Sequence, residues 1–486
     1  MFLGQKQKGG SLLMDNIIKD FEENFIRHIE KYVEDLFEGD ETDISGLIKT
    51  MQQDMDKFGR EALAHVLENM DQEIMESKER KKSWNIQARD MDKTFITQFG
   101  EVKYQRTYYA SKNSENTDYT YLVDDIFGIE RYQRMDKGLE LDLVEKAEEY
   151  SYQKAANMVS KVIPLSKQTT LNKIKKLGKI DNRAIDEKLE DRDKKKVKFL
   201  YIEADEDHIS IQRKNRDEDE KNKSENEITK LVYVHEGREG DRNNLKNAKF
   251  FSGVYNKSED LWEEVLSYID DSYDMDYIET IFLAGDGANW IKNGLKEIPK
   301  TKYILDRYHL NKYVIMATGH CPKKRHLLWL GLNKANYKFT KETFKVISEK
   351  AENAKHKKAV KDARNYIYSN WAGVENYAKD PNAEGCSAEA HVSHVLASRM
   401  SSRPLAWSED GADRMARLRA FKYNGGKKDD LFRLYEHKEK EKRIKMRREK
   451  IIDHRKTLFP IAKETVPALR KGKVNGLQRA MKSLAF

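Results

Sequence analysis

FLAGDGANWIK, residues 282–292, decides how this chain of 486 residues is read. The apolar run Ile281-Phe282-Leu283-Ala284 stops at Gly285-Asp286-Gly287, and a helical pattern starts directly after it. A short apolar run bounded by turn residues has the pattern of a buried strand. A carboxylate at the tip of such a strand has two uses. It can form a turn and cap the following helix, or it can be a ligand for a hard cation.

Working outward, VKFLYIEADEDHISIQR (197–213) is dense in β-branched and aromatic residues and predicts a strand or strand pair. ITKLVYVHEG (228–237) and KFFSGVY (249–255) predict two more strands, and SEDLWEEVLSYIDDSY (258–273) a helix. The opening strand follows, then a helix in ANWIKNGLKEI (288–298), then a strand running into a helix in KTKYILDRYHLNKYVI (300–315). Strands first and alternation afterwards predict a mixed α/β sheet.

The flanks are different. Residues 1–13 read as a short polar leader, with Met14 as a start. Residues 14–90 repeat apolar side chains at three- and four-residue steps (Ile17, Ile18, Phe21, Phe25, Ile29, Val33, Phe37), the spacing of amphipathic helices. Within 91–137, KTFITQFGEVKYQRTYYA alternates about Gly100 and predicts a hairpin, followed by a polar loop at 111–120. Residues 138–180 are helical, with a break at Ile163-Pro164-Leu165 and a second helix opened by Ser166 as N-cap. Such a pair has the outline of a helix-turn-helix, and Lys167, Gln168, Thr169 and Lys173 would face DNA; an ordinary helical hairpin has the same outline. A charged linker runs to Lys196, and 214–227 predicts an exposed hairpin tip. The sheet occupies 197–310, a helical insertion 311–381, a further helical element 382–410 and a basic helical tail 411–486.

Composition narrows the function classes. The net charge is +8, and residues 411–486 hold 23 Lys and Arg against 9 Asp and Glu, so the tail carries +14 and the remainder −6. A basic tail on an acidic body suits a polyanionic partner, although a solvated charged helix has the same composition. Two cysteines exclude a disulfide framework and a Cys-rich zinc site, and make the cytoplasm the expected compartment. No apolar run approaches the roughly 18 residues of a membrane span.

Three acidic positions are candidates for chemistry: Asp205 in YIEADEDHI, Asp286, and Glu389 in NAEGCSAEAHVSHVLASRMSSRP (382–404), whose second half predicts a helix capped by Ser387 and closed by Pro404. Carboxylates at neighbouring strand ends, joined by one from a packed helix, suit Mg²⁺ or Mn²⁺. Two such ions activate a water or hydroxyl and stabilise the leaving oxygen of a phosphodiester. Each acid also has an ordinary role: an exposed strand end, a turn, a first-turn helix acid. Asp207 and Glu384 are rivals for Asp205 and Glu389. His391 and His394 lack a convincing third zinc ligand.

YIEADEDH, FLAGDGANWIK, YILDRYHLNKYV and EGCSAEAHVSHVLASRMSSRP together resemble the signature blocks of the ISLre-type insertion-sequence transposases, distantly similar to the Mutator-type enzymes. The resemblance runs from about Met14 to the basic tail. It implies a DDE transposase with an RNase H-like core and a helical insertion between the second Asp and the Glu. By matching motif it assigns Asp205, Asp286 and Glu389 as catalytic two-metal ligands, separated by 81 and 103 residues. Asp205-Glu206 stands where related enzymes often have Asp-Gly, which keeps Asp207 in play. The resemblance sets Asp306 and His309 beside the site or on DNA, or as a structural pair. Arg399 and Arg403 follow the Glu by about three and four helical turns and are candidate phosphate donors. The expected partners are transposon terminal repeats and target DNA, with a homodimer or higher assembly near the bacterial nucleoid and no membrane. A catalytically inactive or domesticated DNA-binding protein, and a metal nuclease of the same fold without strand transfer, are the alternatives.

Overall fold

The alternation in 199–210 builds the central strand. In the computed structural model, which describes residues 7–38, 44–112, 118–159, 164–186, 193–212, 226–240, 244–403 and 405–437, the chain forms two compact units. The first comprises Met1–Ala147, Ser151–Lys173 and Tyr435–Phe486, and the second Glu148–Tyr150 and Ile174–Leu434. The expected hairpin tip lies almost wholly outside the described residues. So do 1–6 of the leader, 113–117 of the polar loop, Ile163, linker residues 187–192, Pro404, and the tail from 438 onward.

In the first unit, two long helices, α1 (Gln7–Glu38) and α2 (Ser45–Glu76), and a short α3 (Lys78–Ser83) lead into a hairpin of β1 (Trp84–Thr97) and β2 (Gly100–Ser111). Thr97 pairs with Gly100 across the turn, where Gly100 takes a φ of 111°. A two-residue β3 (Tyr119–Thr120) joins β2, followed by α4 (Leu122–Phe127), α5 (Lys137–Glu149), α6 (Tyr152–Val159) and α7 (Lys167–Leu177). Leu67, Met70 and Ile74 of α2 pack on Phe95, Val102, Tyr104 and Tyr109 of the hairpin. α7 starts after Ser166, whose hydroxyl accepts from the Thr169 N–H at 3.2 Å.

The second unit is built on a five-stranded mixed sheet in the order β10-β9-β4-β5-β8. Its strands are β4 (Phe199–Ser210), β5 (Asn226–His235), β8 (Lys249–Gly253), β9 (Thr280–Gly285) and β10 (Thr301–Leu305), and a small ribbon, β6 (Arg238–Glu239) with β7 (Asn244–Leu245), extends β5. β4, β5 and β8 run antiparallel, whereas β4, β9 and β10 run parallel. Helices α8 (Ser258–Ser272) and α9 (Asn289–Glu297) cover one face, where Leu200, Ile202 and Ala204 of β4 meet Leu261, Trp262, Val265 and Ile291. The alternate residues Phe199, Tyr201, Glu203, Asp205 and Asp207 therefore point to the opposite face. The helices α10 (Arg307–Thr318), α11 (Arg325–Asn333), α12 (Tyr337–Glu349), α13 (Ala354–Ser369) and α14 (Trp371–Lys379) form their own apolar core with Tyr303 and Leu305 of β10. The chain then returns through α15 (Ala388–Val392), a π-helical turn at Ser393–Ala397, α16 (Ser398–Met400) and α17 (Glu409–Tyr423). Among the described residues no helix is long and apolar enough to cross a membrane.

Candidate functional site

The parallel strands bring three acids to one level. Glu203 of β4 pairs with Ala284 of β9, so the same register two residues on sets Asp286 beside Asp205. Leu305 of β10 pairs with Gly285, and the Asp306 N–H donates to the Gly285 carbonyl at 2.9 Å, which sets Asp306 level with Asp286. Asp205 is not at a strand end, as the sequence suggested. β4 continues to Ser210, and Asp205 lies where β9 stops pairing with it.

Each side chain is held differently. The Asp286 carboxylate accepts from the Ala288 N–H at 2.8 Å, fixing the turn into α9, and its carbonyl accepts from the Tyr366 hydroxyl of α13. Asp306 caps α10 by accepting from the N–H groups of Tyr308 and His309, and it bonds the His309 ring at 2.7 Å. That bond lifts the His309 pKa above its ordinary value against the pull of burial, with the charges of Asp205 and Asp286 adding to it. Burial pushes the Asp205 carboxyl up to about 7. The Glu206 N–H and His309 hold it down, and the charges of Asp286 and Glu389 push it further up. Glu389 stands exposed on α15.

The rivals separate. Asp207 shares the Asp205 face and is also raised by burial, with Glu389 contributing, but it is engaged by the Ser401 hydroxyl at 2.8 Å. Glu384 is paired with Arg238 at 3.5 Å, beside Gly237 and Tyr201 toward the start of β4. Among the described residues, no three His, Cys, Asp or Glu groups are gathered closely enough to hold an ion as they stand. No described Lys or Arg pairs with Asp205, Asp286 or Glu389 either.

Residues that sequence reasoning passed over hold the frame. Glu203, 2% exposed, accepts from Tyr233, His235, Arg238 and both the N–H and hydroxyl of Ser387, tying β4 to the start of α15. Burial opposes its charge, yet the His235 hydrogen bond and these partners hold its carboxyl at about 2. The Ser387 hydroxyl therefore serves Glu203 and does not cap the helix. Arg419 of α17, 1% exposed, donates to the carbonyls of His394 and Val395 and to the Ser398 hydroxyl. A π turn leaves carbonyls out of the ordinary i→i+4 pattern, and a guanidinium with five donors satisfies them.

The remaining candidates divide between surface and interior. Arg399 is buried, 4.9 Å over the Trp407 ring, so it packs inward instead of offering its guanidinium to phosphate, whereas Arg403 is exposed. His391 packs on the rings of Tyr233 and Phe250, and burial lowers its pKa. In the first unit Lys167 and Gln168 are exposed and Thr169 half-buried, while the half-buried Lys173 is paired with the buried Glu140. The two glycines serve the protein's own packing. A Cβ at Gly285 would meet Ile291 and the Ala204 carbonyl, and one at Gly287, where φ is +94°, would meet Asn370 at 2.4 Å.

The family described as "Uncharacterised protein family (UPF0236)" matches residues 38–440. A UPF0236 protein of Caldanaerobacter subterraneus subsp. tengcongensis, whose name carries eleven locus designations, is 38% identical over 98% of both chains. A second from the same organism is 40% identical over 87% of this chain and 84% of its own length. Among solved structures, the Drosophila P element transposase strand transfer complex matches at 12% identity over 61% of this chain and 81% of that one. Its TM-score of 0.22 is too low to carry an argument.

Proposed function

We propose that this chain, which belongs to the uncharacterised protein family UPF0236, is a DNA transposase whose RNase H-like core cleaves and joins DNA ends through Asp205, Asp286 and Glu389. The observation that carries the proposal is the shared level of Asp205 and Asp286 on adjacent parallel strands, with Glu389 acting on the same buried carboxyl. The relative with eleven locus designations adds support, because a protein encoded at many places in one strain is what a self-moving element leaves behind.

The donor set suits a hard divalent cation. It is carboxylate oxygen throughout, it is mutually repulsive, and no described Lys or Arg neutralises it. Mg²⁺ or Mn²⁺ held by Asp205, Asp286 and Glu389 would supply activation of a water or 3′-hydroxyl and stabilisation of the leaving oxygen. The chain's own residues prepare that site. Asp286 is fixed by the Ala288 N–H, and Tyr366 braces the same turn. His309 is oriented by Asp306, and that bond together with the charges of Asp205 and Asp286 favours its protonated form. Glu389, exposed on α15, would have to come closer to complete the ligand set. Lys167 and Gln168 at the start of α7 would contact transposon ends, and a dimer or higher assembly would bring two ends together.

An end-cleavage and strand-transfer assay with Mg²⁺ on DNA carrying the element's termini tests the proposal. Asp286→Asn should abolish both steps and keep DNA binding. Undiminished strand transfer by that variant would sink the assignment. Cleavage by the wild type without joining would make the protein a nuclease, and binding without either step a DNA-binding protein only.

A further inference from the structure

A recess of about 600 Å³ in the first unit, far in sequence from α7, is lined by Lys93, Arg131, Tyr132 and Arg134 together with Asp92 and Ile96. Its construction follows from an edge. β1 is the outer strand of the β1-β2-β3 sheet, and an unpaired strand edge must be covered or charged. The segment after α4 does both. The Ile96 N–H donates to the Arg134 carbonyl at 2.8 Å, and the Asp136 N–H donates to the Ile96 carbonyl at 2.9 Å, so the segment runs alongside β1. Gln133 and Met135 turn inward, while Arg131, Tyr132 and Arg134 are left exposed, Tyr132 at 82%.

Three cations thus converge on a concave wall. Lys93 is 8% exposed and spends its ammonium on the Gln133 carbonyl at 2.6 Å; burial first, and then the charges of Arg106 and Arg134, lower its pKa to about 8. The Arg131 guanidinium lies 5.5 Å from the centre of the Tyr132 ring, a cation–π contact that orients it. Among the described residues no carboxylate forms an ion pair with Lys93, Arg131 or Arg134. Asp92, the one acid in the lining, accepts from the Gln105 amide at 3.2 Å. Like charges held together without counter-charges point to an anion as ligand, and two exposed arginines give the forked donors that fit phosphate.

We propose that this recess is a phosphate-backbone site for duplex DNA, with Arg131 and Arg134 as the phosphate donors, Lys93 deepening the positive field and Tyr132 holding Arg131 in place. The proposal rests on the reading of the chain as a DNA-acting protein, and adds to it a second contact surface on the hairpin.

The test is fluorescence anisotropy of a labelled duplex with the full chain over a salt series. The double variant Arg131→Ala with Arg134→Ala should lose about tenfold or more in affinity at moderate salt. Its log–log salt slope should fall by about two, roughly one per lost phosphate contact. Arg131→Lys with Arg134→Lys should keep the slope, and Tyr132→Ala should weaken binding with the slope retained. Thermal melting should match the wild type, because the substituted side chains are exposed. Unchanged affinity and slope in the double alanine variant, with the wild type binding the duplex, overturn the recess alone. Failure of the wild-type chain to bind duplex DNA overturns both the recess and the reading it rests on.

Discussion

The carboxylate of Glu203 holds Ser387, the residue immediately before α15, and so fixes the helix that carries Glu389 to the strand that carries Asp205. Two acids two residues apart on one strand face therefore have opposite conditions. Glu203 is surrounded by donors and its carboxyl is held down, while Asp205 is pushed up, first by burial and then by the charges of Asp286 and Glu389.

Glu203→Ala leaves Arg238 beside a buried gap and removes the tie to α15. Breaking a buried charge network in this way costs about 3–5 kcal/mol, to be read by urea unfolding. The folded carboxyl titrates near 2, below its ordinary 4.5. Its contribution is present above the unfolded value and is lost as pH falls from about 4.5 toward 2. Glu203→Gln should flatten that acid limb.

Asp205 has the opposite sign. Its folded pKa, about 7, lies above its ordinary 3.8. The folded chain then binds more protons than the unfolded one between these values, so stability falls as pH rises through that window. Asp205→Asn should remove the fall and, in metal-free buffer at pH 8, stabilise the protein by something on the order of 1–3 kcal/mol. Mg²⁺ should raise the melting temperature of the wild type and leave that of Asp205→Asn unchanged. Equal Mg²⁺ shifts in the two proteins would remove Asp205 from the metal site.

Arg419→Met should be strongly destabilising, by about 3 kcal/mol or more. It leaves the Val395 carbonyl of the π turn buried without its donor and takes one of three donors from the His394 carbonyl. Arg419→Lys should recover only part of this, since an ammonium lacks the planar fork. Chemical denaturation midpoints of the two variants check the order.

Gly287→Ala combines a left-handed backbone with a Cβ driven into Asn370. A loss of about 1–3 kcal/mol is expected. If the Asp286 turn is the element that matters, end cleavage should fall more steeply than thermal stability does. A parallel decline of both would leave Gly287 a packing residue only.

Much of the sheet was legible because strand composition and the alternation in 199–210 are local signals. Asp205 and Asp286 were legible as a pair through their motifs, and their separation of 81 residues is the β4-to-β9 register itself. The supports were not. Glu203 looked like one more acid in an acidic run, and nothing local announces that Tyr233, His235 and Ser387 will converge on it. Arg419 sits in a basic stretch that reads as solvated surface, though it is among the most buried side chains of the chain. Lys173 and Arg399 carried charges that suggested DNA, but Lys173 turns to Glu140 and Arg399 lies over Trp407 inside the protein. Side-chain direction on a helix depends on tertiary neighbours that charge counting cannot see.

The helices between β10 and α15 offered no recognisable chemistry in sequence, yet α13 supplies the Tyr366 hydroxyl bonded to Asp286, and the following Asn370 fills the space that Gly287 leaves open. Length variation in this stretch is thus constrained at one end. A deletion reaching residues 366–370 would leave all three acids in the gene and remove the buttress on which one of them stands.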